Sequence, residues 1–190
     1  MPAEMVTRVT RNHALEHATI NVLTQNHKKF SAQGNSTPWG FYLNIFGSVS
    51  DEDVVAAVDE AHTRLNQGET KLALHPNCGT VMLTTATMAT LAAQSTFTLE
   101  RRRQNSSHVS FAVMLNALPA AILAVVVALI VSRPVGMAIQ ERFTVDPVLG
   151  DLQVIQVKRV SPSLITRLFQ FLLGQSKNQD VNAFKVTTKG

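Results

Sequence analysis

The sequence predicts an α+β protein in which a small helix-and-strand domain carries an inserted transmembrane helical hairpin. Three observations support this fold class. Residues 109–132 form a long uncharged apolar run, which is typical of a membrane span. Residues 41–46 and 152–160 have the aromatic and β-branched content of strands. Ser50 and Asp53 have the spacing of a helix capping box.

The composition of the chain limits its partners. Charged residues make up 16% of the 190 residues, below the roughly 25% of a typical soluble domain. The formal charge is −2 over residues 1–80, +2 over 81–132 and +4 over 133–190. Because the positive excess lies around and after the apolar run, it favours a membrane surface over nucleic acid. The sequence contains no Walker A or GxGxxG pattern, so nucleotide binding has no support.

These three segments are the predicted domains. Residues 1–80 form an N-terminal α/β domain, 81–132 the hairpin, and 133–190 the strands and amphipathic helix that complete the first domain. The apolar run is about 36 Å long as a helix, enough to cross a hydrocarbon core of roughly 30 Å. Residues 81–99 are also uncharged but rich in Thr and Ala. Their small residues allow a close helix–helix approach, although a helix buried in protein is the alternative for this segment.

The orientation in the membrane rests on two conflicting arguments. Three arginines, Arg101 to Arg103, lie in the short connector and favour a cytoplasmic connector by the positive-inside rule. Against this, the first 13 residues contain no apolar signal region that would export the N-terminal domain. The single cysteine also fits a reducing compartment. We expect both termini to be cytoplasmic, in the inner or a photosynthetic membrane of the cell.

The remaining elements follow from periodicity and turn signals. Two helices are expected to pack on one face of a sheet. In the N-terminal part we predict a helix from Thr10 or Asn12 to about residue 26, followed by a loop at 31–40 and a strand at 41–46. A second helix then runs from the capping box to about Asn66, and a short strand follows at 71–74. In the C-terminal part we predict strands at 142–145 and 152–160, an interfacial helix at 163–174 and a polar, frayed end at 175–190.

The first motif that can carry chemistry is HALEH, at residues 13–17. Residues four apart share a helix face, so His13 and His17 can reach one ion. The pattern is that of inverted zincins, in which the glutamate between the histidines, here Glu16, acts as general base. A zinc ion would lower the pKa of a bound water. The alternative is an ordinary packing face in which Glu16 is a solvated charge.

The second motif is HPNCGT, at residues 75–80. It places His75 and the only thiol, Cys78, three residues apart in a tight loop, and imidazole with thiolate is a suitable zinc pair. The alternative is a structural turn with a buried cysteine. With His13 and His17 the motif completes a possible set of four metal ligands. Four protein ligands would form a closed structural site, whereas three and a water would form a catalytic one.

The order of these motifs resembles an uncharacterised family of small membrane proteins. HALEHATINVL, then the GFYL segment, then LALHPNCGT before an apolar hairpin, are similar to a domain of unknown function found in cyanobacteria and other, often phototrophic, bacteria. The resemblance covers roughly residues 9–95. It implies a fold unit with a membrane hairpin and maps both His motifs onto the shared pattern, but it implies no established activity.

Three functions are candidates for these patterns, and the third, pigment or haem ligation by a histidine, has neither a C-x-x-C-H motif nor a histidine well inside the predicted spans. The first is a membrane-anchored zinc-binding protein with a His/Cys site, which would be a hydrolase if Glu16 serves as its base. The second is a non-catalytic accessory or assembly subunit of a membrane complex, such as a photosynthetic one, in which the site is structural. The predicted partners are therefore the lipid bilayer and, in the second case, other subunits. Whether the protein is an enzyme is left open by the sequence.

Overall fold

A computed structural model describes residues 2–162 and 181–190. The helix predicted at 163–174 lies outside the described residues. The described helices and strands are α1 (Pro2–Asn26), β1 (Phe30–Thr37), β2 (Gly40–Gly47), α2 (Asp51–Asn66), α3 (Gly79–Arg103), α4 (Phe111–Ile139), β3 (Gln153–Val160) and β4 (Val181–Lys189), with a 3-10 helix at Thr70–Ala73 and a π-helical turn at Gln140–Thr144. The chain divides into two compact units, Met1–His75 with Phe143–Gly190, and Pro76–Arg142.

In its described residues, the first unit contains an antiparallel sheet and the helices α1 and α2, so the mixed α+β class is confirmed. The strand order is β1-β2-β4-β3. Phe41 and Leu43 of β2 lie opposite Val186 and Phe184 of β4, and all four are buried in one core with the apolar residues of α1 and α2. On the other face Tyr42 is exposed, and the ammonium of its partner Lys185 lies 5.7 Å from the ring centroid. One face of the sheet therefore packs on both helices.

The capping box at the start of α2 is confirmed. The backbone N–H of Asp53 donates to the hydroxyl of Ser50 over 3.1 Å, and the backbone N–H of Ser50 donates back to the Asp53 carboxylate over 3.3 Å. The Ser50 hydroxyl also donates to this carboxylate, and together with His27 it lowers the pKa of Asp53 below its usual value. The helix ends at Asn66, as expected.

Two predictions in the N-terminal part were wrong. The first helix begins at Pro2 rather than at Thr10 or Asn12. The Thr10 hydroxyl donates to the carbonyl of Thr7 one turn earlier, so this side chain is satisfied inside a helix and does not cap one. Residues 31–40 are not a loop, because most of them form β1. This strand lies at the edge of the sheet, where its polar side chains remain accessible to water.

Three predictions in the later segments were also wrong. Residues 71–73 belong to the 3-10 helix and Leu74 is its C-cap residue, so this segment is not a strand. Residues 142–145 lie in and after the π-helical turn. Residues 181–189, expected to be part of a frayed end, form the interior strand β4 between β2 and β3. The predicted strand at 152–160 is confirmed as β3, but its hydrogen-bonding neighbour is this unexpected strand.

The second unit contains α3 and α4 packed antiparallel. The hydroxyl oxygens of Thr85 and Ser132 lie 2.9 Å apart, and Gly136 lies against the backbone of Val81. The small residues that allow this approach lie on α4, where the buried positions are Val113, Ala117, Ala121, Ala128, Ser132 and Gly136. Of the small residues of α3 that were expected to allow a close approach, Ala86 and Thr90 are exposed and Ala93 is half-buried.

The helix that begins at Phe111 is long and apolar enough to cross a membrane. Its most apolar stretch of 18 residues has a mean hydropathy of 2.6, and only 22% of that stretch is buried. Among the described residues no second helix reaches the same hydropathy, since the threonines of α3 lower its average. By length and composition, the predicted pair of membrane spans is therefore reduced to one candidate span.

Candidate metal site

Helix α1 places the two histidines of the HALEH motif side by side. Ala14, Leu15 and Ala18 of the same helix are fully buried in the core, and this burial fixes the rotation of the helix about its axis. His13 and His17 then lie one turn apart, with ring centroids separated by 4.2 Å. His17 is 2% exposed, so its imidazole is a buried polar group.

Backbone carbonyls orient both rings. Nδ1 of His13 lies 2.8 Å from the carbonyl oxygen of Thr144, and Nδ1 of His17 lies 2.8 Å from that of Ala73. A carbonyl oxygen only accepts hydrogen bonds, so Nδ1 of each ring carries the hydrogen and donates it. The lone pair of each neutral ring is therefore on Nε2. Metal-binding histidines commonly show this arrangement, in which one nitrogen donates to a carbonyl and the other binds the ion.

The HPNCGT motif follows the 3-10 helix and leads into α3. The ring centroid of His75 lies 5.8 Å from that of His17. Cys78 is the N-cap residue of α3, is 7% exposed, and its sulfur accepts a hydrogen bond from the N–H of Thr80 over 3.4 Å.

Three of the predicted ligands form a group that can hold a metal ion. His13, His17 and Cys78 each offer one ligand atom, and these atoms lie within 4.8 Å of one another. Around a zinc ion, bonds of about 2.0–2.1 Å to nitrogen and 2.3 Å to sulfur bring the ligand atoms to within about 4 Å of one another. Small rotations of the side chains would bring the ligand atoms from within 4.8 Å to within about 4 Å of one another. His75 is not one of the three, but its ring stands beside that of His17.

Glu16, the predicted general base, is directed at the sheet. Its side chain is buried, and Oε2 accepts a hydrogen bond from the hydroxyl of Ser36 on β1 over 2.5 Å. Gly34 on the same strand leaves the space that this carboxylate fills, since a Cβ atom there would overlap Oε1. The carboxylate therefore packs between α1 and β1.

The structure adds Asn21, which the sequence analysis missed. Its side-chain amide donates to the carbonyl oxygens of Leu72 and Leu74 over 2.8 and 2.9 Å. Asn21 lies four residues after His17, on the same side of α1, and this spacing is the signal that could have identified it. Together the two side chains hold the backbone that leads to His75.

The segment that supplies the Thr144 carbonyl is held to α1 by further contacts. The backbone N–H of Asp146 donates to the carbonyl of Thr10 over 3.0 Å. The guanidinium of Arg11 forms ion pairs with Asp146 and Asp151. This attachment was not predicted, because residues 142–145 were expected to form a strand. It keeps the hydrogen-bond acceptor of His13 in place.

Residues 8–157 match the model of a protein family described as a domain of unknown function, DUF6391. The chain belongs to this family. This match confirms the resemblance to an uncharacterised family. The family description names no activity, ligand or partner.

One curated relative shares part of this DUF6391 chain. It is an uncharacterised protein of Picosynechococcus sp., 42% identical over 98 residues, and the alignment covers 45% of this chain and 47% of the relative. The chain thus spans about half the length of the curated relative it matches. No solved structure matches this chain.

Proposed function

We propose that this protein is a membrane-anchored metal-binding protein whose His/Cys site holds one zinc ion. His13, His17 and Cys78 are ligands, and His75 is the fourth. The observation that carries the proposal is the pair of hydrogen bonds from Nδ1 of His13 and His17 to backbone carbonyls, because they leave the lone pair of both rings on Nε2.

The donor chemistry favours zinc. Imidazole nitrogen with thiolate sulfur is a frequent zinc ligand combination, and the ion is stable in tetrahedral sites with four protein ligands. Hard cations such as calcium and magnesium prefer oxygen ligands, which this group lacks. A closed site with four protein ligands would be structural.

The position of Glu16 favours this structural role over hydrolysis. A general base must lie within hydrogen-bond reach of the water that it activates. The carboxylate of Glu16 packs against Gly34 and accepts a hydrogen bond from Ser36, on the side of α1 that faces β1. The hydrolase alternative would require this side chain to leave a buried position.

Metal analysis of the full-length protein in detergent tests the site. We expect about one zinc ion per chain in the unmodified protein, and at least a tenfold loss of affinity in Cys78→Ser and His17→Ala, since each removes a ligand. His62→Ala is the matched control, because its ring bonds the carbonyl of Leu152 away from the site. Zinc binding that is unchanged in Cys78→Ser would refute the shared site.

The membrane part of the proposal rests on the connectivity of the first unit. This unit combines Met1–His75 with Phe143–Gly190, so both segments must lie on the same side of a membrane. If α4 crosses the bilayer, the chain must also cross it between these segments in the opposite direction. The 25 residues of α3 are long enough, at about 37 Å, to make that crossing.

The side chains of both helices are compatible with lipid. Large apolar residues of α4 point outward, as Ile130 (70% exposed) and Leu123 (65% exposed) show, while its small residues face α3. The threonines of α3 bond to their own helix: the hydroxyls of Thr84, Thr90 and Thr98 donate to carbonyls four residues earlier. A hydroxyl satisfied in this way costs less free energy in a hydrocarbon environment.

Cysteine labelling in membranes tests this topology. In a Cys78→Ser background, single cysteines replace Glu52, Ser106 or Asp151. We expect Glu52→Cys and Asp151→Cys to react from one side of the membrane and Ser106→Cys to react from the other. Labelling of all three from one side would show that neither helix crosses. Glu52→Cys and Asp151→Cys on opposite sides would contradict a second crossing. The side on which Ser106→Cys reacts also tests the cytoplasmic placement of the termini.

A further inference from the structure

We infer that Asn21 is a positioning residue of this metal site, because its side-chain amide holds the backbone that leads to His75. The inference rests on the proposed zinc site. Asn21 lies one helical turn after His17 on α1. Its Nδ2 donates to two carbonyl oxygens, those of Leu72 at 2.8 Å and Leu74 at 2.9 Å.

These bonds serve the end of a helix. The last carbonyl groups of a helix have no donor within it and need hydrogen-bond donors from elsewhere. At the C-terminal end of the 3-10 helix, side chains of α1 bond three consecutive carbonyls, those of Leu72, Ala73 and Leu74. Asn21 donates to the outer two and His17 to the middle one. The helix end is thereby held against α1 in one position.

Two metal ligands depend on this position. The carbonyl of Leu74 belongs to the peptide group that joins Leu74 to His75, so fixing it sets the direction in which the imidazole of His75 leaves the backbone. The carbonyl of Ala73 is the acceptor that keeps the hydrogen of His17 on Nδ1. Asn21 therefore acts on the site through its neighbours and without contacting the ion.

The consequence is a measurable effect on zinc affinity. Loss of an outer hydrogen bond that orients metal ligands weakens metal binding about 10- to 100-fold. Asn21→Asp has almost the same shape but replaces both N–H donors by an acceptor, which repels the two carbonyls. We expect zinc affinity to fall by about that factor in competition titrations of the full-length protein in detergent. The visible spectrum of the cobalt-substituted protein should also change, since it reports ligand geometry.

A matched control exists on the same helix. Asn12 is fully buried, donates to the carbonyl of Thr37 and accepts from the hydroxyl of Thr188, so its bonds reach the sheet and not the site. We expect Asn12→Asp to lower the unfolding temperature while zinc affinity and the cobalt spectrum stay close to those of the unmodified protein. Asn21→Ser, which keeps one donor, should show an intermediate affinity and serves if Asn21→Asp does not fold.

The outcomes separate this inference from the function on which it rests. Unchanged zinc affinity and cobalt spectrum in the Asn21 variants would overturn it, as would an equal loss of affinity in Asn12→Asp, because the effect would then be general destabilisation. Failure of the unmodified protein to bind zinc would instead refute the proposed metal site itself.

Discussion

The hydroxyl of Ser36 on β1 donates a hydrogen bond to Oε2 of Glu16 over 2.5 Å and joins the middle of α1 to the edge of the sheet. Glu16 is only 4% exposed, and a buried carboxylate depends on such bonds for its stability. In enzymes with the HxxEH pattern this carboxylate acts as general base. The contact with Ser36 favours a packing role for the glutamate of the HALEH motif.

We therefore expect Glu16→Ala to reduce stability and to leave metal content unchanged. Removing the carboxylate leaves the Ser36 hydroxyl without this acceptor and creates a cavity, which should lower the free energy of unfolding by about 1–3 kcal/mol. Thermal unfolding of the detergent-solubilised protein, together with metal analysis, measures both effects. Asp59→Ala, an exposed carboxylate on α2, is the control and should change neither. Zinc loss at unchanged stability would place Glu16 in the site.

Gly34 should be energetically coupled to Glu16. A Cβ atom at residue 34 would overlap Oε1 of the buried carboxylate, so Gly34→Ala has to displace either the side chain or the strand. We expect destabilisation of about 1–3 kcal/mol in the unmodified background and much less in Glu16→Ala, where the space is open. A double-mutant cycle on unfolding free energies measures this coupling, expected at about 0.5–3 kcal/mol. Additive effects would contradict the close packing of these two residues.

A third prediction concerns the packing of α3 against α4. A Cβ atom on Gly136 would lie 2.9 Å from the Cα atom of Val81, closer than such atoms approach. Gly136→Leu should therefore separate the two helices and cost about 1–3 kcal/mol or more. A disulfide between cysteines placed at Thr85 and Ser132, whose oxygens are 2.9 Å apart, reports the separation by its rate of formation. Ile130→Leu, on the exposed side of α4, is the control and should leave the rate of disulfide formation unchanged. An equal effect of Gly136→Leu and Ile130→Leu on this rate would refute the packing of α3 against α4.

The sequence predicted the elements whose signals are local. The capping box at Ser50 and Asp53 specifies the start of α2, because the hydrogen bonds involved connect residues three apart. The apolar run in α4 is likewise visible without any tertiary information. The pairing of His13 with His17 follows from helix geometry alone.

The elements that were missed depend on partners distant in the chain. Strand β4 ends in the polar residues Thr187, Thr188 and Lys189, and it is identified as an interior strand only because β2 and β3 pair with it. Phe184 and Val186 alternate with polar residues there, a signal that was present but weak. In the candidate site, the role of Asn21 depends on carbonyls more than 50 residues away. When a side chain bonds to the backbone of a distant segment, the sequence does not identify that partner, because any residue supplies a carbonyl.

The last prediction concerns pH and the capping box of α2. The Ser50 hydroxyl lowers the pKa of Asp53, with a smaller contribution from the charge of His27, whose Nε2 lies 3.7 Å from the carboxylate. A carboxyl group with a lowered pKa in the folded state stabilises that state above its unfolded pKa of about 3.9. This contribution is lost as the pH falls through the lower, folded value. We therefore expect the stability difference between the unmodified protein and Asp53→Asn to be constant from about pH 5 to 6 and to shrink below about pH 4.

Thermal unfolding across this pH range measures the difference, and two further variants locate its cause. Ser50→Ala removes the hydroxyl that holds the carboxylate and should cost about 1 kcal/mol near neutral pH. In that background Asp53→Asn should have a smaller effect and a weaker dependence on pH. In His27→Gln the imidazole charge is removed, so the pH dependence that remains reports the hydrogen bonds of Ser50. A difference that grows as the pH falls below 4 would have the wrong sign and would show that the carboxylate is not held in its charged form by the cap.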